Sequence, residues 1–286
     1  MSHQECLICN SNQLSPLKGY SKDYLVKCKK CGFVFCQEIP SQEGLIRHYQ
    51  SYNRDKDISP ITVKRYNELL DQFESSRKNN KILDIGCGDG HFLTAALARG
   101  WEVHGTEFTD DAIEICKKKN INVQQGILDA KNYSSIQFDV ITSFEVIEHI
   151  NNPKTELENI KTILRSGGIL YLTTPNFNSI SRFILKGKWN IITYPEHLSY
   201  YTAKTMNRFL SKNGFRKIKL QTTGISINRL QQSSSVLKSD SETNKDESLR
   251  EKTESYILLQ GIKKSINFFL NLFRMGDTIK GTYKKQ

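Results

Sequence analysis

The hydrophobic pattern of the chain changes near residue 82, where short apolar runs begin to alternate with segments that repeat apolar residues at helical spacing. Short apolar runs are typical of buried strands, whereas a 3.6-residue repeat is typical of amphipathic helices. Strands are predicted at residues 82–85, 103–106, 123–125, 138–144 and 168–174, and helices at residues 91–99, 111–118 and 153–164. This alternation predicts an α/β fold with a doubly wound, mostly parallel sheet and helices on both faces.

The segments that flank this alternation have different patterns. Before it, residues 62–77 carry apolar side chains at helical spacing, which predicts a helix that connects to the core and caps its cleft. After it, residues 205–212 predict a further helix and residues 216–220 a further strand. Residues 233–254 are polar and charged, which is typical of a flexible linker or a lid.

The last part of the chain returns to an ordered pattern. Residues 256–273 are apolar at helical spacing, and residues 277–285 alternate as an edge strand does. We expect the helix to pack over the sheet or an acceptor pocket, because an amphipathic stripe usually faces a core. The alternative is a helix that lies on an anionic membrane, since Lys263, Lys264 and Arg274 accompany the apolar residues.

The most informative motif is the run from Ile82 to Gly90, in which a strand enters an acidic turn with three glycines. Gly86, Gly88 and Gly90 allow a sharp turn and a close ligand, although tight turns without a ligand also carry glycines. Glu107 ends the second strand about 20 residues later, where a carboxylate accepts hydrogen bonds from ribose hydroxyls.

The acids of this motif discriminate between cofactors. Asp84 and Asp89 would repel the pyrophosphate of NAD but attract a positively charged sulfonium and an ammonium group. The motif therefore favours S-adenosylmethionine.

On these residues, the segment from about 81 to 220 resembles the class I S-adenosylmethionine-dependent methyltransferases, in the branch of the ubiquinone-biosynthesis O-methyltransferases. The resemblance implies a Rossmann-like sheet of seven strands, whose last strand runs antiparallel near the C-terminus, and we assign it to residues 278–283. It also implies that the cofactor site includes the residues Asp84, Gly86, Gly88, Gly90, Glu107 and Phe144.

The adenine site departs from the pattern of this family. The family often places an acid directly after a glycine that follows the third strand, but here Gly126 is followed by Ile127 and Leu128. Adenine recognition is therefore assigned to backbone groups near Leu128, with Asp129 as an alternative. Phe108 is a candidate for stacking on adenine, or else a core aromatic residue.

Three residues after the fourth core strand form a candidate catalytic and metal-binding set. If a helix begins there, Glu145, Glu148 and His149 share one face, and His197 follows the next strand. This set resembles the divalent-metal site of the ubiquinone O-methyltransferases and the small-RNA 2′-O-methyltransferases, which implies Mg2+ or another divalent cation. Glu145, His149 and His197 are the candidate catalytic residues, with either histidine as the general base. The alternative is that the carboxylates line the cofactor pocket and that His149 is structural.

Four of the seven cysteines form two pairs near the N-terminus. Cys6 and Cys9, then Cys28 and Cys31, have the C-x2-C spacing of a zinc ribbon, with 18 residues between the pairs. Four thiolates fill a tetrahedral site, so a structural Zn2+ is predicted rather than a catalytic one. The alternative is a set of free buried cysteines.

These patterns divide the chain into four predicted parts. They are a zinc ribbon at residues 1–40, a helical connector or cap at 41–80, a methyltransferase core at 81–222, and a linker, helix and final strand at 223–286. The start of the chain lacks the character of a signal peptide, and no apolar run reaches the roughly 18 residues of a membrane span. A cytoplasmic location is expected.

The net charge of +11 bears on the partners. Residues 176–286 hold 20 Lys and Arg but 8 Asp and Glu, so the positive excess lies in this part of the chain. A solvated surface, a peripheral membrane contact, an anionic substrate and RNA are all compatible with it. RNA is disfavoured because the basic residues are dispersed and no stacking motif stands beside them.

The combined prediction is an O-methyltransferase that acts on a small-molecule acceptor, such as a sugar or glycan precursor or a quinol. The alternative is an RNA-directed methyltransferase that binds RNA through the ribbon and the basic C-terminal region. A binding module without catalysis is the third interpretation.

Overall fold

The computed structural model describes residues 2–40, 58–225 and 257–286, and for residues 257–263 the backbone alone. The predicted linker at 233–254 and the first part of the predicted connector, 41–57, lie outside the described residues. No helix of the described residues is both long and apolar enough to span a membrane.

The main sheet has seven strands in the order β10-β11-β8-β7-β4-β5-β6. Its strands are β4 (Lys81–Ile85), β5 (Glu102–Glu107), β6 (Asn122–Gln125), β7 (Phe138–Phe144), β8 (Leu164–Pro175), β10 (Phe215–Thr223) and β11 (Thr278–Lys285). β4, β5, β6, β7 and β8 pair in parallel, whereas β11 runs antiparallel to both β8 and β10. The doubly wound sheet and its antiparallel last strand are thus confirmed.

The helices of the described residues connect these strands. They are α1 (Pro60–Phe73), α2 (His91–Ala98), α3 (Asp110–Lys118), α4 (Pro153–Ile163), α5 (Ile180–Leu185), α6 (Ala203–Lys212) and α7 (Ile257–Leu272). Short 3-10 turns lie at Ser21–Asp23, Glu74–Ser76, Ala130–Tyr133 and Lys186–Lys188.

The centre of the sheet is buried on both faces. Nearly every residue of β4 and β7 is buried, as expected of central parallel strands that are covered by helices. One apolar cluster packs the face of the sheet under α4 and α6, and a second packs the face under α1, α2 and α3. The ligand-binding edge of such a sheet lies beyond the carboxyl ends of its parallel strands.

Helix α1 lies over this edge. Tyr66 contacts Phe92 and Phe144 with ring centroids 5.4 and 6.1 Å apart, and Phe144 is the last residue of β7. The predicted capping helix therefore packs beside the end of the fourth core strand, although its first turn begins at Pro60 rather than at residue 62.

A second, smaller sheet is built on the N-terminal segment. β1 (Leu14–Pro16), β2 (Leu25–Cys28) and β3 (Val34–Cys36) form antiparallel pairs, and β3 pairs with β9 (Ser199–Tyr200). Because β9 comes from the segment after the fifth core strand, the ribbon shares a sheet with the loop that carries His197. The sequence pattern did not predict strand β9.

Helix α7 differs from the expectation that it packs over the sheet. Among its described side chains, Leu270 is buried, whereas Ile266, Phe268, Phe269 and Leu272 are exposed. Asn267 and Asn271 accept hydrogen bonds from the backbone N–H groups of Gly224 and Thr222. The helix is thus held to the end of β10 along one edge, and four of its five described apolar side chains are exposed.

Candidate active site

The glycine turn follows β4 at the ligand-binding edge. Gly86, Gly88 and Gly90 have φ of +66°, +52° and +74°, a left-handed conformation that disfavours residues with a Cβ atom. A Cβ at Gly90 would lie 2.5 Å from Ile121 Cδ1 and 2.9 Å from Cys116 Sγ. A Cβ at Gly86 would lie 2.7 Å from Val146 Cγ2. At Gly86 and Gly90, both the backbone angle and the space around the Cβ position therefore favour glycine.

We expect Gly90→Ala to lower the free energy of unfolding by about 2–5 kcal/mol, from left-handed strain of about 1–2 kcal/mol and overpacking of about 1–3 kcal/mol. Gly19→Ala is the matched control, because Gly19 has φ of +85° with nothing within 4 Å of its Cβ position. Gly19→Ala should therefore lower the free energy of unfolding by the backbone strain alone. Urea denaturation of both variants measures the difference, and equal losses would contradict the packing argument.

Glu107 joins the end of β5 to the glycine turn. Its carboxylate accepts hydrogen bonds from the backbone N–H of Gly88 at 3.0 Å, of Phe108 at 2.8 Å and of Thr109 at 3.0 Å. The predicted ribose-binding acid is therefore fixed in orientation beside the turn, and it is 8 % exposed.

Asp84 is a second buried acid at this edge. Its Oδ1 accepts a hydrogen bond from Thr142 Oγ1 at 2.7 Å. Burial raises the pKa of Asp84 to about 7, Thr142 opposes this shift, and the charge of Glu107 adds to it. A buried carboxylate that lies beside a second buried acid is suited to a ligand that brings positive charge.

The remaining predicted cofactor residues differ in their surroundings. Phe108 is 40 % exposed beside Glu107, and Phe144 is half-buried with its ring 5.0 Å from that of Phe92. Leu128 is buried in the core, and its carbonyl accepts a hydrogen bond from Asn159 Nδ2 at 2.8 Å. Asp129 caps a short 3-10 turn by accepting from Lys131 N. Their assignments to the cofactor site, and those of Phe108, Leu128 and Asp129 to adenine, stay predictions.

The predicted helix start at Glu145 is wrong. Glu145 has φ of +54°, a left-handed conformation that interrupts a helix, and the segment Val146–Ile150 forms a turn. Helix α4 begins at Pro153, where Asn152 accepts from Thr155 N and proline occupies the first turn. Glu145, Glu148 and His149 therefore do not share a helical face.

Three of the four predicted metal ligands still come together. Ligand atoms of Glu148, His149 and His197 lie within 4.8 Å of one another, and Glu145 is not part of this group. Glu148 is buried and accepts a hydrogen bond from Thr174 Oγ1 at 2.9 Å. The two imidazole ring centroids are 4.7 Å apart. We call these three residues the Glu-His-His cluster.

The hydrogen bonds of the two histidines fix their tautomers. His149 Nδ1 lies 2.9 Å from the Glu196 carbonyl oxygen, and His197 Nδ1 lies 2.5 Å from the Ile191 carbonyl oxygen. A carbonyl oxygen only accepts, so each of these contacts requires a proton on Nδ1. Burial lowers the pKa of His149 to about 4, with a further contribution from His197, so His149 is neutral near pH 7.

The Glu-His-His cluster lies next to the glycine turn. Val146, in the turn that leads to Glu148 and His149, occupies the space that a side chain at Gly86 would need. The strand ends that carry Asp84, Thr142 and Thr174 therefore meet at one edge of the sheet. The arrangement places three groups that could bind a metal or accept a proton at the same sheet edge as the buried acids Asp84 and Glu107.

The four N-terminal cysteines form a second cluster. Cys6 Sγ and Cys31 Sγ lie 3.5 Å apart, Cys9 Sγ and Cys28 Sγ lie 3.6 Å apart, and all four sulfurs lie within 4.8 Å. Tetrahedral Zn2+ with Zn–S bonds of about 2.3 Å requires sulfur separations of about 3.8 Å. The donor set and its spacing thus fit a zinc ion. No disulfide joins them, since all seven cysteines are free.

Backbone hydrogen bonds link this ribbon to the Glu-His-His cluster. Strand β3 pairs Val34 with Tyr200 and Phe35 with Ser199. The backbone N–H groups of Leu198 and Ser199 in turn donate to the Glu148 carbonyl oxygen at 2.8 and 2.9 Å. The chain segment that follows His197 is therefore held between the ribbon and the turn of Glu148.

Two threonines that support this site were not predicted from the sequence. Thr142 binds Asp84 and Thr174 binds Glu148, and both threonines are fully buried. A polar residue inside an otherwise apolar strand, near its carboxyl end, is a signal that could have identified them.

Comparisons with known proteins place the chain in a family. The family described as "Methyltransferase domain" matches residues 49–220, more than half of the chain. A "Ubiquinone biosynthesis O-methyltransferase" of Coxiella burnetii is 28% identical over 127 residues, 42% of this chain and 52% of that protein. One of Haemophilus ducreyi is 32% identical over 152 residues, 49% of this chain and 64% of that protein.

A solved structure shows the same fold. The crystal structure of a SAM dependent methyltransferase from Archaeoglobus fulgidus covers 86% of this chain and 100% of its own, with a TM-score of 0.51 and 20% identity. The chain spans only 52% and 64% of the length of the two curated relatives named above. The matched family, the sheet order and the glycine turn together show that the chain belongs to the class I S-adenosylmethionine-dependent methyltransferases.

Proposed function

We propose that this chain transfers the methyl group of S-adenosylmethionine to a hydroxyl oxygen of a small acceptor, such as a sugar or glycan precursor or a quinol. The observation that carries the proposal is the Glu-His-His cluster beside the glycine turn, because methylation of an alcohol requires removal of its proton. The names of the curated relatives, ubiquinone O-methyltransferases, support an oxygen acceptor.

The cofactor side of the site uses Asp84, the glycine turn and Glu107. S-adenosylmethionine supplies an electrophilic methyl group on a positively charged sulfur. Asp84 and Glu107 provide buried negative charge toward such a ligand, and Glu107 has the position of an acid that binds ribose hydroxyls. The glycines allow the ligand to lie against the backbone.

Glu107→Gln tests this assignment. Loss of the charge should weaken binding of S-adenosylhomocysteine by about 10- to 100-fold, since hydrogen bonds to a charged group contribute about 1.5–3 kcal/mol. Glu114→Gln is the matched control, because Glu114 is an exposed carboxylate on α3 that pairs with Lys117. Calorimetry measures both. Unchanged affinity of Glu107→Gln would contradict the ribose assignment.

The acceptor side uses the Glu-His-His cluster. Glu148, His149 and His197 would hold a divalent cation through one carboxylate and two Nε2 atoms. A bound cation lowers the pKa of a coordinated hydroxyl and orients its oxygen. Without Glu145 the set has more nitrogen than oxygen, so it suits a transition metal such as Zn2+, Mn2+ or Fe2+ better than Mg2+.

A metal-free alternative uses the same residues. His149 or His197 would then accept the hydroxyl proton directly at Nε2, while Glu148 and the carbonyl partners hold the rings. The two versions differ in their response to a chelator. Activity that is lost in EDTA and restored by a divalent cation supports the metal, whereas activity that survives supports the histidine base.

The ribbon has a structural role in this proposal. Cys6, Cys9, Cys28 and Cys31 hold one Zn2+, and all four ligand positions are filled by protein, which leaves none for chemistry. The zinc fixes β3, and β3 fixes the segment after His197. We therefore assign the ribbon to positioning of the acceptor side.

Methyl transfer itself is tested with labelled cofactor. The protein is incubated with a cell extract and S-adenosylmethionine that carries isotope in its methyl group, and the products are identified by mass spectrometry. Label in the methoxy group of a small hydroxylated molecule supports the proposal. Label confined to RNA, or to a nitrogen of the acceptor, contradicts it.

A further inference from the structure

Helices α5 and α7 expose aromatic and aliphatic side chains. On α5, Phe183 is 47 % and Ile184 is 62 % exposed. On α7, Phe268 is 63 % and Phe269 is 56 % exposed, and Phe273 just after the helix is 64 % exposed. Exposed apolar groups of this density are typical of interaction surfaces rather than of free surfaces in water.

Hydrogen bonds join the segment that leads into α5 to the residues that follow α7. Asn176 Nδ2 and Asn178 Nδ2 donate to the Arg274 carbonyl oxygen at 3.0 and 3.3 Å. The Ile180 N–H, at the start of α5, donates to the Met275 carbonyl oxygen at 3.0 Å. We call the exposed side chains of α5 and α7, together with Phe273, the α5–α7 surface.

The charge around this surface has one sign. Residues 176–192 contain Arg182, Lys186 and Lys188 and no acid, and residues 257–276 contain Lys263, Lys264 and Arg274 and no acid. The next acid, Asp277, is buried and accepts a hydrogen bond from Ser181 Oγ at 2.8 Å, so it does not reach this surface. Apolar side chains among cations only are complementary to a bilayer with anionic headgroups, where rings enter the acyl boundary and cations remain among the phosphates.

Two other binding partners would fit the α5–α7 surface less well than a membrane does. A second copy with twofold symmetry would set this basic surface opposite itself, and like charges face to face are unfavourable. The chain's own residues 226–256 hold only six apolar or aromatic side chains among 31 residues, so they are poorly suited to replace water around several aromatic rings.

The α5–α7 surface is continuous with the acceptor side of the site. The segment that begins at Asn176, after β8, includes α5 and continues to His197. Strand β11 starts at Thr278, which pairs with Pro175 at the carboxyl end of β8. The surface and the Glu-His-His cluster therefore lie at the same edge of the sheet.

We propose that the α5–α7 surface docks onto an anionic membrane and presents the acceptor side of the site to an amphiphilic acceptor held there. Membrane docking itself is independent of the proposed methyl transfer, whereas the nature of the acceptor rests on it. Phe269, Phe273 and the neighbouring cations carry the contact.

Vesicle flotation of the full chain tests the docking. We expect the protein to float with phosphatidylcholine vesicles that contain phosphatidylglycerol at low salt, and not with phosphatidylcholine alone. The pair Phe269→Ser/Phe273→Ser should lower vesicle affinity at least about tenfold, from the loss of two buried rings. Lys188→Glu/Lys264→Glu should lower it as well, and Ile218→Ser, an exposed residue of β10, should not.

Two further measurements separate the outcomes. Calorimetry with S-adenosylhomocysteine shows that the variants are folded, and light scattering reports their oligomeric state. Absence of flotation by a wild type that binds S-adenosylhomocysteine overturns the docking alone. A dimer that the Phe269→Ser/Phe273→Ser pair dissociates overturns it in favour of a second copy. A protein that floats but binds no S-adenosylhomocysteine supports docking and overturns the proposed function.

Discussion

Replacement of Cys28 and Cys31 by serine is expected to remove the zinc and to lower methyl transfer by about 100-fold or more, because displacement of reacting groups by about 1 Å can cost that much. The reason is structural. Strand β3 would lose its anchor, and the backbone N–H groups of Leu198 and Ser199 would no longer hold the Glu148 turn. Zinc content and the turnover rate with labelled cofactor measure the effect.

The same variant should retain the cofactor side. Asp84, the glycine turn and Glu107 belong to the main sheet, so affinity for S-adenosylhomocysteine should stay within about threefold, or less than about 0.7 kcal/mol. Cys36→Ser is the matched control, since Cys36 is buried on β3 but does not belong to the group of four cysteines. Full zinc retention in the double variant would contradict zinc binding by these cysteines. Full activity after zinc loss would contradict the positioning role of the ribbon.

The second large effect is expected for His197→Ala. Its Nε2 either binds the cation or accepts the hydroxyl proton, and loss of a general base costs about 10²- to 10⁴-fold in rate. The affinity for S-adenosylhomocysteine should not change. Single-turnover measurements with labelled cofactor distinguish the chemical step from binding.

The control for this variant is another histidine near the same turn. His3 Nε2 lies 2.7 Å from Asn151 Oδ1 but outside the Glu-His-His cluster, so His3→Ala should change the rate by less than about threefold. If His197→Ala kept the wild-type rate, neither the metal version nor the base version of the acceptor side could stand.

The core of the fold was predictable because its signals are local. The strand into Ile82–Ile85, the glycines at 86, 88 and 90 and the acid at 107 lie within a short stretch, and each has a distinct pattern. Their spacing sets which strand ends meet, so the position of Glu107 beside the glycine turn was predictable. The antiparallel last strand followed from the family resemblance rather than from its alternation alone.

The errors came from features that a pattern does not encode. A left-handed Glu145 breaks the helical spacing on which the predicted ligand set depended, and only the Asn152-Pro153 pair marked the true helix start. Glu148, His149 and His197 meet all the same, because strand ends and the loop before β9 converge in space. Such convergence is a tertiary effect.

Two further differences have the same origin. The pairing of β3 with Ser199–Tyr200 joins residues far apart in sequence, which no local periodicity reports. In α7 the amphipathic stripe predicted a packed face, but periodicity identifies an apolar face and not what covers it.

The central claim, that the glycine turn and Glu107 bind S-adenosylmethionine, is tested most directly by calorimetric titration of the wild-type chain with S-adenosylhomocysteine and, separately, with NAD. We expect saturable binding of one S-adenosylhomocysteine per chain and no binding of NAD, because Asp84 and Asp89 repel a pyrophosphate. Binding of NAD, or a folded chain that binds no S-adenosylhomocysteine, would contradict it.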